Sequence, residues 1–271
     1  MTNHRSFLKW AGGKYSSLKH ILPNLPPATR LIEPFAGSGV VFINSDYSNY
    51  LLGELNHDLV TLFKIVQKDG LKFIEFCKEL FTENNNTKIQ YYNFRKNFNS
   101  TKDPYFKSAL FLYLNKHGYN GLCRYNSTGI FNVPFGKYKK PYFPLNELTY
   151  FFKKSQQATF IEEDFRNTFS YARTGDVIYC DPPYVPISKS SNFTNYTNLK
   201  FNLEAQEELA RLAEEYSKKG ITVIISNHDT DFTREQYKQS NIISFPVPRF
   251  ISCNIGKRYP VRELLAVFKA E

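Results

Sequence analysis

Two short apolar runs in this chain end abruptly, each in residues that a strand cannot absorb. The run "DVIYC" (176–180) stops at "DPPY", residues 181–184. Proline has no N–H to give to a sheet ladder, so a strand must end there. The run "RLIEPF" (30–35) stops at "AGSG", where Gly37 and Gly39 permit a tight turn. The stretch "VVFINSD" then reads as the start of a helix, and "YLLGEL" (50–55) as a second strand. Strand, glycine turn, helix and strand make the opening of a doubly wound α/β sheet. Ligands of such sheets sit beyond the carboxyl ends of the strands. Both abrupt endings therefore mark a candidate site.

Further strand candidates are "ATFIEEDF" (158–165), "TVIIS" (222–226), "IISFPV" (242–247) and "ELLAVFK" (263–269). The stretch "LEAQEELARLAEEYSKKG" (203–220) is an amphipathic helix closed by Gly220. Residues 57–117 differ: "DLVTLFKIV", "LKFIEFCKELF", "IQYYNFRKNF" and "FKSALFLYLNK" all carry helical periodicity. Residues 118–144 are turn-rich, aromatic and basic, and read as a hairpin or elaborate loop. The expected organisation is a catalytic α/β domain over 1–56 and 146–271, with a mostly helical insertion over 57–145.

Charge narrows the partner. With 35 Lys and Arg against 25 Asp and Glu, the net charge is +10, which favours a polyanion. No basic amphipathic anchor helix is evident, so nucleic acid is favoured over a membrane surface. Cys77, Cys123, Cys180 and Cys253 form no CxxC pair, and the five histidines form no H-E-x-x-H. Neither a disulfide framework nor a metal site is expected. The N-terminus lacks a secretory apolar region and no run reaches membrane-span length, so a cytoplasmic location is expected.

The two endings carry chemistry. Glycines after a strand let the backbone approach a ligand closely. A pyrophosphate-binding G-x-G-x-x-G would need glycine at position 42, but the residue is Phe42. Glu54, at the end of the second strand, suits ribose hydroxyls, so the pair fits an adenosine cofactor without a pyrophosphate. Asp181 and the proline carbonyls are acceptors only, which suits an NH₂ group. The exocyclic nitrogen of adenine is a poor nucleophile, because its lone pair is delocalised into the ring. Two acceptors on its hydrogens draw it toward tetrahedral geometry, and Tyr184 can stack on the base. A cytosine-C5 reaction needs a thiol next to a proline, whereas Cys180 is followed by Asp181.

"FLKWAGGK" (7–14), "EPFAGSG" (33–39) and "DPPY" (181–184), in that order around an insertion, resemble the Dam-type DNA adenine-N6 methyltransferases. The segments 111–143 and "IISNHD" (224–229) resemble the family's own versions, so the likeness spans essentially the whole chain. It implies a Rossmann-like methyltransferase fold, S-adenosylmethionine as methyl donor, no metal, a monomer and a GATC target in duplex DNA. Carried over by position, Trp10 and Lys14 fall in the cofactor loop, and Glu33, Phe35, Gly37 and Gly39 in the glycine turn. Glu54 is the ribose-binding acid, where close relatives commonly have Asp. Asp181, Pro182, Pro183 and Tyr184 form the catalytic loop, and Asp181 also faces the cofactor.

A base inside a duplex must be extruded before it can be modified. By resemblance, Lys9 and Arg124 read guanines, Leu122 and Pro134 touch neighbouring bases, Tyr119 wedges into the stack and Asn120 lies at the DNA beside it. Lys137, Lys139 and Lys140 are placed for phosphates. The polar stretch 185–197 reads as a loop that closes over the flipped base, and 249–262 as a basic turn that touches the DNA backbone. The alternatives are an exocyclic-amine methyltransferase acting on N4 of cytosine or on RNA, and a non-catalytic DNA-binding relative.

Overall fold

The computed structural model describes residues 3–184, 201–247 and 261–271. Among them, seven strands form one sheet: β1 (Arg30–Glu33), β2 (Asn49–Gly53), β3 (Ala158–Ile161), β4 (Asp176–Cys180), β5 (Thr222–His228), β6 (Asn241–Val247) and β7 (Val261–Phe268). Their order is β3-β2-β1-β4-β5-β7-β6. β1 pairs in parallel with β2 on one side and β4 on the other, so Ile32 faces Leu51 and Ile178. β5 extends β4 in parallel, while β7 runs antiparallel to β5 and β6. Chain order therefore runs outward in opposite directions from β1 and β4, and the crevice between their carboxyl ends is the switch point of the sheet. The apolar run of β4 follows from its place: Val177, Ile178, Tyr179 and Cys180 are all buried, as in a strand covered on both faces.

The strand endings fall within two residues of where the sequence predicts them except at β3, expected over 158–165, which ends at Ile161 because the Asp164 side chain caps a helix that starts at Phe165. The helix expected after the glycine turn does not form. The chain makes only a 3₁₀ turn, Phe42–Asn44. Val40, Val41 and Ile43 are β-branched and buried, and the Asn44 side chain donates back to the Val40 carbonyl at 2.7 Å, competing with helical bonds.

The chain divides into two units. One comprises Met1–Tyr15, Ala36–Asn44 and Glu54–Glu162; the other comprises Ser16–Phe35, Ser45–Gly53 and Glu163–Glu271. In the second unit, the short α1 (Leu18–Ile21) precedes β1. The first unit is mainly helical, with α2 (His57–Glu79), α3 (Lys88–Ser100), α4 (Pro104–His117) and α5 (Leu145–Ser155). The Asn56 side chain caps α2 by accepting from the Leu59 amide at 3.2 Å. α2 kinks at Gly70 (φ 45°), where an added Cβ would lie 2.5 Å from the Phe152 ring of α5. Phe7, Phe63, Phe151 and Phe160 form an aromatic core there, with Phe7 edge-on to Phe151 at 4.9 Å. Between α4 and α5, antiparallel bridges join Gly118 to Phe135 and Tyr125 to Phe131, giving a hairpin arm held by two isolated bridges.

The second unit adds α6 (Phe165–Ser170), α7 (Leu203–Lys218) and α8 (Asp231–Gln236). Asn202 caps α7, and Lys218 pairs with Glu214 at 2.6 Å on its outer face. No helix among the described residues is long and apolar enough to cross a membrane.

Candidate active site

The loop Asp181–Tyr184 leaves β4 at the switch point. Ser226 of β5 sits beside it: the Tyr179 hydroxyl donates to Ser226 Oγ at 3.1 Å, which leaves the serine hydrogen for Asp181 Oδ1 at 2.9 Å. Pro182 is buried and Pro183 exposed. The Pro183 carbonyl accepts from Gln206 Nε2 of α7 at 2.7 Å. Gln206 Oε1 in turn accepts from Asn227 Nδ2 at 3.1 Å, and Asn227 also meets the Tyr237 hydroxyl at 3.1 Å. Ser226, Gln206, Asn227 and Tyr237 are all buried, so the loop rests on a polar network shielded from water. Tyr184 is partly exposed, and its ring meets the His228 ring edge-on at 4.7 Å. Burial, and then the nearby Asp181, push its hydroxyl well above the usual range, so it stays neutral.

The neighbouring strand ends in Glu33, which is buried, followed by Phe35, which is partly exposed. Phe35 stacks on Phe165 at 5.5 Å and meets Phe201 edge-on at 5.3 Å. Cys180 is fully buried, and desolvation holds its thiol well above its ordinary value, so it is inert as a nucleophile.

The glycine turn belongs to the first unit. Gly37 and Gly39 have φ of 47° and 67°, the left-handed region that favours glycine. At Gly37 an added Cβ would lie 3.0 Å from Trp10 Nε1, so the indole covers the turn only because glycine is there. The Gly37 amide donates to Glu54 Oε2 at 3.1 Å, and the Asn56 amide to Glu54 Oε1 at 3.0 Å. Burial raises the Glu54 pKa, and the amides of Asn56, Gly37 and Leu55 offset part of that rise. A carboxylate already occupies the Gly37 amide and only a 3₁₀ turn follows, so this turn does not present the free amide and helix N-terminus on which a pyrophosphate rests. Lys14 is buried, with Nζ donating to the Gly12 carbonyl at 2.7 Å.

Also in the first unit, the hairpin arm presents the expected readers. Tyr119, Asn120, Arg124, Pro134, Lys137, Lys139 and Lys140 are exposed, and Leu122 and Lys9 partly so. Asn115, buried on α4, joins Lys9 to the arm. It accepts from the Lys9 amide at 2.9 Å and donates to the carbonyls of Lys9 and Gly121 at 2.7 and 3.1 Å. Lys9 Nζ lies over the Tyr138 ring at 4.1 Å. The Arg124 guanidinium donates to Asn132 Oδ1 at 2.7 Å. Asn120 and Lys137 take φ of 52° and 55°, rare for residues with a Cβ. The segment expected to close over the base (185–197), and all but the last two residues of the segment expected to touch the backbone (249–262), lie outside the described residues. Among the described residues, no group of three or more His, Cys, Asp or Glu is placed to hold a metal.

Sequence reasoning passed over Ser226, Gln206, Asn227 and Asn115. The first and third sit within "IISNHD", which carried a family likeness but no assigned role.

A doubly wound sheet with an acidic proline turn at its switch point is the framework of a Rossmann-like methyltransferase. The pattern of the D12 class N6 adenine-specific DNA methyltransferases matches residues 10–247. The chain belongs to that family, and is accordingly an enzyme that methylates adenine at N6 in DNA. The DNA adenine methylase of Escherichia coli strain K12 is 48% identical over 99% of this chain and 97% of its own length. That of Serratia marcescens is 47% identical over 99% of this chain and 100% of its own. Likeness to solved structures is weaker: a precorrin 8w decarboxylase from Methanobacterium thermoautotrophicum aligns over 98% of this chain and 99% of its own, with a TM-score of 0.42 and 10% identity.

Proposed function

We propose that the enzyme transfers the methyl group of S-adenosylmethionine to N6 of the adenine in GATC sites of duplex DNA. It acts as a monomer in the bacterial cytoplasm, where that DNA lies, and extrudes the adenine before transfer. The observation that carries the chemistry is the Asp181 carboxylate, oriented by Ser226 at the switch point.

Asp181 accepts one hydrogen of the adenine amine and the Pro182 carbonyl the other. The Pro183 carbonyl is already engaged by Gln206, which supports this division. Bound S-adenosylmethionine would supply an electrophilic methyl group to the nitrogen lone pair that these acceptors free, and Asp181 would take the surplus proton of the amine. The nucleophile belongs to the substrate, so no covalent enzyme intermediate is needed. Catalysis is positioning and hydrogen bonding. Tyr184, neutral and partly exposed, stacks on the extruded base.

The residues of the glycine turn fit the donor. The backbone amides that Glu54 accepts leave its carboxylate at least one lone pair for a ribose hydroxyl. Phe35 offers a ring to the donor's adenine, and Trp10, Lys14, Glu33 and Gly39 complete the donor contacts. Lys9 and Arg124 read the guanines through O6 and N7, Tyr119, Asn120, Leu122 and Pro134 contact the neighbouring bases, and Lys137, Lys139 and Lys140 meet phosphates.

The test is incubation with methyl-labelled S-adenosylmethionine and duplexes with or without GATC, followed by identification of the labelled nucleoside. N6-methyladenine confined to GATC duplexes is expected. Label in cytosine, label in RNA, or label spread over all duplexes overturns the proposal.

A further inference from the structure

The outgoing strand of the hairpin arm alternates. Leu122 and Arg124, the proposed base readers, present exposed or partly exposed side chains. Cys123 and Tyr125, between and after them, turn the other way. Cys123 Sγ lies 3.5 Å from Asn56 Nδ2, and the Tyr125 hydroxyl donates to Asp58 Oδ2 at 2.7 Å. Lys107 of α4 holds the other Asp58 oxygen at 2.7 Å. The Tyr125 hydroxyl and the Cys123 thiol also interact with each other, so the two inward side chains form one network.

That network ends at the donor site. Asn56 gives its side chain to Cys123 and its amide to Glu54 Oε1, and its Oδ1 caps α2. Glu54 in turn holds the Gly37 amide of the glycine turn. Two residues apart on the arm thus meet two residues two apart at the start of α2: 123 with 56, and 125 with 58. The return strand has different anchors. Asn99 of α3 exchanges two bonds with Phe131, at 2.9 and 3.0 Å, and Tyr91 and Arg95 both donate to the Val133 carbonyl at 3.0 Å. The two strands themselves are joined by two isolated bridges and by a few main-chain bonds, among them Tyr119 to Pro134 at 2.8 Å and Asn132 to Arg124 at 3.1 Å. The position of the readers therefore depends on the side chains beneath them as well as on this short pairing.

We propose that Cys123 and Tyr125 are positioning residues that tie the base-reading strand to the Glu54–Asp58 segment, so that duplex binding and methyl-donor binding are thermodynamically coupled. The proposal rests on the reading above of Glu54, Leu122 and Arg124. Both contacts are partly withdrawn from water, where breaking a hydrogen bond to a charged group is costly. A shift of Leu122 and Arg124 as they engage bases moves residues 54–58, and a donor that fixes Glu54 fixes the readers. Linkage makes the effect reciprocal.

The test is titration of S-adenosylhomocysteine into the full-length protein, alone and with a short duplex carrying one GATC site. In wild type the duplex is expected to tighten binding at least about fivefold, the low end of ordinary coupling. The Cys123→Ala/Tyr125→Phe double variant should bring that ratio to within about twofold of one, while its affinity without duplex stays within about twofold of wild type. Asn99→Ala, which loosens the return strand instead, should keep the wild-type ratio. A wild-type ratio of one, a ratio retained in the double variant, or equal loss in Asn99→Ala overturns the proposal. Methyl transfer by wild type to GATC duplexes is scored separately, so failure of the functional reading is told apart from failure of the coupling.

Discussion

The proposed catalytic loop and the hairpin arm are held in opposite ways. Asp181 and Pro183 rest on side chains that are buried before any substrate arrives: Ser226, Gln206, Asn227 and Tyr237. The arm carries its proposed readers at the surface, pairs its strands through two isolated bridges and a few main-chain bonds and tolerates left-handed backbone at Asn120 and Lys137. Chemistry by positioning needs acceptors fixed beforehand, because any reorganisation at the moment of transfer is lost rate. Reading needs side chains that reach base edges, and these must be exposed in the free protein. The difference teaches that the two regions should fail differently when perturbed.

The largest expected effect falls on the catalytic side. Asp181→Ala should lower kcat by about 10²–10³-fold or more, with duplex affinity close to wild type, as read by single-turnover methylation and by a binding titration. Equal loss of binding would erase the contrast between the regions.

Acid should strike the base of the arm. His117 is buried, stacks on Tyr113 at 3.7 Å, and its main-chain carbonyl accepts from the Gly136 amide at 2.8 Å. Its Nδ1 carries the proton, since the partner at 2.9 Å is the Tyr113 carbonyl, which only accepts. Burial, reinforced by Lys9 and opposed by that carbonyl, lowers its pKa from 6.5 to about 4. The unfolded chain then binds the proton more tightly than the folded one. Stability is full above about pH 6.5 and falls toward pH 4, by about 3 kcal/mol at most. His117→Phe should flatten that slope in urea melts at stepped pH. An unchanged slope would place the acid sensitivity elsewhere.

Arg124→Ala should cost about 1–3 kcal/mol of discrimination at one guanine, measured as the rate ratio of cognate to near-cognate duplexes, with transfer on the altered site retained. The smallest effect is expected from Gln206→Leu, which leaves the Pro183 carbonyl unpartnered by residue 206. It also removes the bond from Asn227, and loss of two buried hydrogen bonds of about 1 kcal/mol each corresponds to a drop of about fivefold to thirtyfold in kcat without change in discrimination. A change in discrimination there would mean that the two regions are not separable.

Legibility in the sequence followed the same division. The end of β4 was readable because its signals are local: an apolar run, then Asp181 and two prolines. Gly37 and Gly39 were readable because a left-handed turn needs glycine. Ser226 and Gln206 were not, because they lie 45 and 23 residues from their partners and look like ordinary polar residues of a strand and a helix. Asn115 stands 106 residues from Lys9. α5 was passed over because Pro144 precedes it and supplies no side-chain cap. The helix expected after the glycine turn failed for the opposite reason: the apolar run was there, but its β-branched residues and Asn44 favour a 3₁₀ turn.

The most direct measurement places 2-aminopurine at the target adenine of a GATC duplex and follows its fluorescence beside methyl transfer to the natural duplex. Wild type and Asp181→Ala should both raise the fluorescence, since the proposed reading and extrusion belong to the arm, and only wild type should transfer the methyl group. Transfer by Asp181→Ala at the wild-type rate would contradict the account.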